Sequence, residues 1–193
     1  MRRGGGSNKG SSFEREICKT LSLWWTDGSR DDVFWRTAGS GGRATNRART
    51  GRSTAGAEGD LTATDPIGTV LLRLCCFELK RGYNKVNPLD VIERRSNTKP
   101  CILEDFWQQA VTSCMQSKAH FPVVIFKRDQ KRTSIVCDRS MLLALASYLG
   151  PDRSPKIQMR IGTHNAVIMR FEDWIDYITP DSIKVFAKEL GYV

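Results

Sequence analysis

Two apolar runs with a helical pattern between them constrain this chain most. Thr69 to Lys80 is rich in β-forming residues, and Pro122-Val123-Val124-Ile125-Phe126 reads as a buried strand. Between them, Leu103 to Ala119 repeats its apolar residues Phe106, Ala110 and Cys114 at helical spacing. An earlier helix carries Phe13, Ile17, Leu21 and Trp24 as an apolar stripe, opened by serines and acidic residues that suit a helix N-terminus. Val33-Phe34-Trp35-Arg36 and Asp60-Leu61-Thr62-Ala63-Thr64 are short strands. Asp65-Pro66-Ile67-Gly68 reads as the turn of a hairpin joining the second of these to the Thr69–Lys80 run. Thr133 to Cys137 pairs with the Pro122 strand across a charged turn. The order of elements predicts an α/β fold with a mixed central sheet flanked by helices.

The same pattern predicts the organisation of the chain. Residues 1–11 read as a flexible basic arm and 12–137 as the core. Within that core, 43–58 is a polar loop and 81–100 an irregular insertion. Residues 138–193 form a C-terminal α+β extension, with Met141–Leu149 and Pro180–Leu190 as helices and two short strands between Ile157 and Arg170.

With 193 residues, one compact domain is the expectation. Lys and Arg number 30 against 21 Asp and Glu, a formal charge of +9 that favours an anionic partner, nucleic acid first among them. The excess is uneven: Arg43, Arg47, Arg49 and Arg52 share a stretch with no acid between Val33 and Ala57. Such a loop is suited to phosphate contacts that position DNA. No apolar run approaches the roughly 18 residues of a membrane span, and no apolar segment follows the basic start, which argues against a secretory leader. The six cysteines form no CxxC pair and sit mostly in apolar runs, so packing in a reducing cytoplasm is expected. Trp24, Trp35, Trp107 and Trp174 read as core residues and Trp25 as the most exposed tryptophan. His120 and His164 read as structural or surface residues.

The candidate chemistry lies in Asp60, Glu78 and Lys80. Strand alternation puts Glu78 and Lys80 on one face and Phe77 and Leu79 on the other. Asp60 begins the neighbouring strand, so its carboxylate could meet that of Glu78 at one end of the sheet. Two converging carboxylates suit a hard cation such as Mg²⁺, which takes oxygen ligands and keeps waters and phosphate oxygens. A lysine beside them could stabilise charge developing on a scissile phosphate. Glu14, on the first helix, could reach the same place. Taken alone, Glu-x-Lys in a strand is more often a solvated ion pair.

Gly59-Asp60 followed by Glu78-Leu79-Lys80, with Glu14 in an upstream helix, resembles the PD-(D/E)xK nuclease superfamily. Within it, the chain is most similar to archaeal-type Holliday junction resolvases and their phage relatives. Gly10 to Glu16 resembles their opening helix, and Arg36-Thr37-Ala38-Gly39-Ser40-Gly41-Gly42 the strand and Gly/Ser loop after it. The resemblance covers about residues 10–128. It implies a restriction-endonuclease-like core, Mg²⁺ (with Mn²⁺ able to replace it) held by Asp60, Glu78 and Glu14, and Lys80 as the catalytic lysine. It further implies an assisting glutamine at Gln109 or Gln108, and DNA contacts from Arg15, Arg36 and Ser40 alongside the loop arginines. Hydrolysis of branched DNA by a homodimer follows as an expectation, with no membrane and no organic cofactor. A duplex-cutting or phage DNA-processing nuclease, or a DNA-binding module without catalysis, stands as the alternative. Gly59 stands where the family's name-giving proline would be.

Overall fold

A computed structural model describes residues 5–37, 59–95 and 97–192, with side chains from residue 10 onward. The expected DNA contacts Ser40, Arg43, Arg47, Arg49 and Arg52 lie outside the described residues.

Helix α1 (Gly5–Trp25) begins inside the stretch expected to be an arm. Strands β1 (Phe34–Arg36) and β2 (Leu61–Ala63) form an antiparallel pair, Trp35 opposite Thr62. The remaining strands are β3 (Cys75–Arg81), β4 (Phe121–Lys127), β5 (Ser134–Asp138), β6 (Lys156–Ile161) and β7 (His164–Arg170). They form one five-stranded sheet in the order β3-β4-β5-β7-β6. β3 and β4 run parallel and the other pairings are antiparallel, so the sheet is mixed. A parallel neighbour needs a crossover, supplied by helix α4 (Ile102–Ser117), which follows the short helices α2 (Thr69–Leu74) and α3 (Leu89–Glu93). Helices α5 (Arg139–Leu149), α6 (Phe171–Tyr177) and α7 (Pro180–Glu189) complete the chain.

The sheet separates two apolar layers. On one side, Phe13, Ile17 and Leu21 of α1 pack with Leu71, Phe77, Ile125, Ile135, Leu145 and Trp174. On the other, Leu103, Phe106, Trp107 and Ala110 of α4 cover Val124, Phe126, Val136 and Ile168. This is an α/β architecture of the restriction-endonuclease-like kind: a mixed sheet with helices on both faces. β6 and β7 belong to the same sheet, so the segment after Asp138 is built onto the central sheet.

The hairpin expected before β3 is replaced by a helical turn. Asp65 accepts a hydrogen bond from the Ile67 amide, and Pro66 starts a 3-10 turn that runs into α2. Leu71 and Leu74, three apart, are then both buried by helical geometry. Tertiary burial overrides the strand preference of the Thr69–Leu74 segment, and β2 pairs with β1 instead. Trp25 also departs from expectation. It is 4% exposed and donates its indole N–H to the Ile67 carbonyl, whereas Trp35 is 48% exposed. All six cysteines are unpaired and five are buried. Among the described residues, no helix is long and apolar enough to cross a membrane.

Candidate active site

β3 is an edge strand of the five-stranded sheet, and it carries Glu78 and Lys80. Its alternation holds as the sequence predicts. Phe77 and Leu79 enter the α1 layer, while Glu78 and Lys80 face α4, beside Val124 and Phe126 of β4. Glu78 is 3% exposed, unusual for a carboxylate, and both its oxygens have donors. Ser113 Oγ donates to Oε1 at 2.9 Å and Lys80 Nζ to Oε2 at 3.0 Å. Lys80 Nζ also donates to Gln109 Oε1 at 2.8 Å and lies 5.7 Å from the Phe106 ring centroid. The lysine is thus fixed by three groups from two elements.

Asp60 reaches the open edge of β3 from the start of β2. Its amide donates to the Phe77 carbonyl at 2.8 Å, and its Oδ2 accepts from the Leu79 amide at 2.7 Å. The backbone therefore docks Asp60 beside Glu78 although β2 and β3 form no ladder. Burial and the Glu78 carboxylate push the Asp60 pKa up to about 7. The Leu79 amide and the Lys80 ammonium pull the other way and are outweighed, and Glu14 adds to the rise. Two neighbouring carboxylates that repel each other, with an ammonium alongside, could be neutralised further by a bound cation.

Gly59 explains why proline is missing here. Its φ is +77°, a region proline cannot enter. A Cβ at this position would stand 2.9 Å from Cys76 Sγ and 3.0 Å from the Phe77 carbonyl oxygen. The close approach lets Asp60 reach β3. Gly59→Ala is expected to lower the melting temperature by roughly 3–10 °C, from a strain of about 1–3 kcal/mol, and to slow cleavage by moving Asp60. A thermal melt with an unchanged midpoint would count against this account.

The remaining predicted residues divide. Glu14 lies near Asp60 and is met by Arg36 Nε at 3.5 Å, while Arg36 Nη1 donates to Ser11 Oγ at 2.6 Å. Arg36 therefore braces the start of the site from within the protein. Arg15 is exposed on α1, and Gln108 and Gln109 are both exposed, with Gln109 holding Lys80. Ser113 escaped the sequence reading. Its signal was the four-residue spacing from Gln109, which stacks the two on one helix face.

Among the described residues, no three His, Cys, Asp or Glu side chains converge as a complete metal cage. The donor set nevertheless fits a hard divalent ion, which needs only one or two carboxylates when water and substrate phosphate fill the other positions. Asp60 and Glu78 would hold it.

The mixed sheet thus brings the two carboxylates and the lysine singled out in the sequence together at its edge strand. The chain belongs to the family described as "Phage putative PDDEXK endonuclease", whose model matches residues 5–185. The match runs well past residue 128, so the segment expected to lie outside the family pattern is part of it. No curated protein and no solved structure matches the chain.

Proposed function

We propose that this chain is a Mg²⁺-dependent endodeoxyribonuclease that hydrolyses phosphodiester bonds in branched DNA. The observation that carries the reading is the meeting of Asp60 and Glu78 beside an anchored Lys80. A bound Mg²⁺ supplies Lewis-acid stabilisation of the scissile phosphate and an acidified water. The chain's own residues do the rest. Lys80 puts a positive charge where the phosphate becomes more negative, and Gln109 and Glu78 hold that ammonium in place before substrate arrives. Ser113 fixes the Glu78 rotamer through Oε1. Glu14, braced by Arg36, supports the acidic site, while Arg15 and the arginines at 43, 47, 49 and 52 grip phosphates.

The four-way junction as first substrate rests on the likeness of about residues 10–128 to resolvases. A homodimer would present two sites to such a two-fold substrate. Cleavage of labelled junction, flap, linear duplex and single-stranded DNA separates the choices. Preference for the junction supports the resolvase reading, and equal duplex cutting replaces it with a restriction-like nuclease. Binding of DNA without cleavage of any form would make the chain a DNA-binding module.

A further inference from the structure

A second feature lies beside the carboxylates. A groove of about 480 Å³ runs between β2, α2 and the C-terminal end of α4. Thr62 and Thr69 bring hydroxyls to its wall and Arg73 and Lys118 bring cations; Ser117 also lines it, with its O–H donated to the Cys114 carbonyl, and Tyr192 closes one side. Among the described residues, no carboxylate lines it and none pairs with Arg73 or Lys118. The groove shares both walls with the candidate site. Leu61, one of its lining residues, follows Asp60 directly, and Ser117 lies one helical turn beyond Ser113, which holds Glu78.

We propose that this groove binds the sugar–phosphate backbone of the DNA strand flanking the scissile phosphate, with Lys118 and Arg73 as its phosphate contacts. The inference rests on the nuclease reading above and adds to it where the strand runs. A backbone crossing Asp60 and Glu78 meets hydroxyl donors and two cations on the next stretch of surface, the mixture that phosphate oxygens take. Arg73 donates one N–H to the Tyr192 carbonyl at 2.7 Å, which orients the guanidinium and leaves its other donors for phosphate.

Lys118 gives independent support. It caps α4 in the left-handed region, φ +58°, where glycine or asparagine is the favoured residue. A lysine there works against local backbone preference, and such departures gather at functional positions. The position also supplies a clean variant, because Lys118→Gly removes the charge and suits the backbone. Its melting temperature is expected to equal or exceed that of the unmodified chain.

The test is binding of a fluorescein-labelled junction and duplex by the full chain, with Ca²⁺ in place of Mg²⁺, across a series of NaCl concentrations. Lys118→Gly is expected to weaken affinity for both DNAs by roughly 3–10-fold. It should also flatten the plot of log affinity against log salt by about 0.9, the signature of one lost phosphate contact. Arg73→Gln is expected to do the same. Unchanged slopes in both variants, with the unmodified chain binding DNA, would overturn the groove and leave the nuclease reading standing. An unmodified chain that binds no DNA would overturn both.

Discussion

Asp60→Asn is expected to abolish Mg²⁺-dependent cleavage, with a loss of about 10³-fold or more, while making the ion-free protein more stable. The first effect follows from removing one of two carboxylates able to hold the cation. The second follows from the same geometry read without the ion. Asp60 is pushed up to about 7 by burial and by Glu78. A carboxyl raised in the folded state prefers its proton there, so its ionisation works against the fold. Well below the ordinary carboxylate range both states are protonated and Asp60 contributes nothing. As pH rises from about 4 to about 7 the unfolded chain ionises first, and the ion-free protein loses stability over that window. Above it the penalty is constant. The substituted asparagine carries no such charge, so at pH 8 the variant should melt roughly 4–8 °C higher, a gain of about 2 kcal/mol for a chain of this length. On the proposed site, the unmodified chain should gain melting temperature with Mg²⁺ and this variant should not. A variant that melts lower than the unmodified chain at pH 8 would contradict the repulsion between Asp60 and Glu78.

Lys80→Met carries the second large effect, and its two consequences point the same way. In the proposed mechanism the ammonium faces developing phosphate charge, and loss of one such preorganised donor slows reactions by roughly 10²–10³-fold. It is also the cation paired with a carboxylate that is 3% exposed. Removing one member of a buried pair leaves an uncompensated charge, a destabilisation of about 3–5 kcal/mol. The variant is therefore expected to cleave poorly and to melt lower, whereas the double variant Lys80→Met with Glu78→Gln should recover much of the stability and none of the cleavage. Recovered stability in the double variant would trace the loss to the unpaired Glu78 carboxylate, and the rate of the single Lys80→Met variant, measured well below its melting temperature, reports on Lys80 itself. Full activity in Lys80→Met would contradict the assignment.

The parts of the fold set by local periodicity could be read from the residues. α4, β4, β5 and α7 fall within a few residues of their expected spans, because each has a clean apolar repeat and a distinct cap or turn. The two faces of β3 were legible for the same reason: alternation alone separates Glu78 and Lys80 from Phe77 and Leu79. Thr69–Leu74 was not, since Val, Leu and Thr in a six-residue run satisfy strand propensity, and only the Asp65 cap and the burial of Leu71 and Leu74 decide for helix. The pairing of β2 with β1 follows from that helix and was hidden with it. In the site, Asp60, Glu78 and Lys80 could be named from type and order. What holds them could not. The Leu79 amide on Asp60 and the close approach at Gly59 are long-range contacts that no spacing announces, and the Ser113 hydroxyl on Glu78 shows only in its four-residue spacing from Gln109.

The most direct test of the central claim is single-turnover cleavage of a labelled four-way junction by the unmodified chain, Asp60→Asn and Lys80→Met, each with Mg²⁺ and with excess EDTA. Cleavage is expected from the unmodified chain only with Mg²⁺, with rates lowered by about 10²-fold or more in both variants. Cleavage that persists in EDTA, or that proceeds at the unmodified rate in both variants, would contradict that claim.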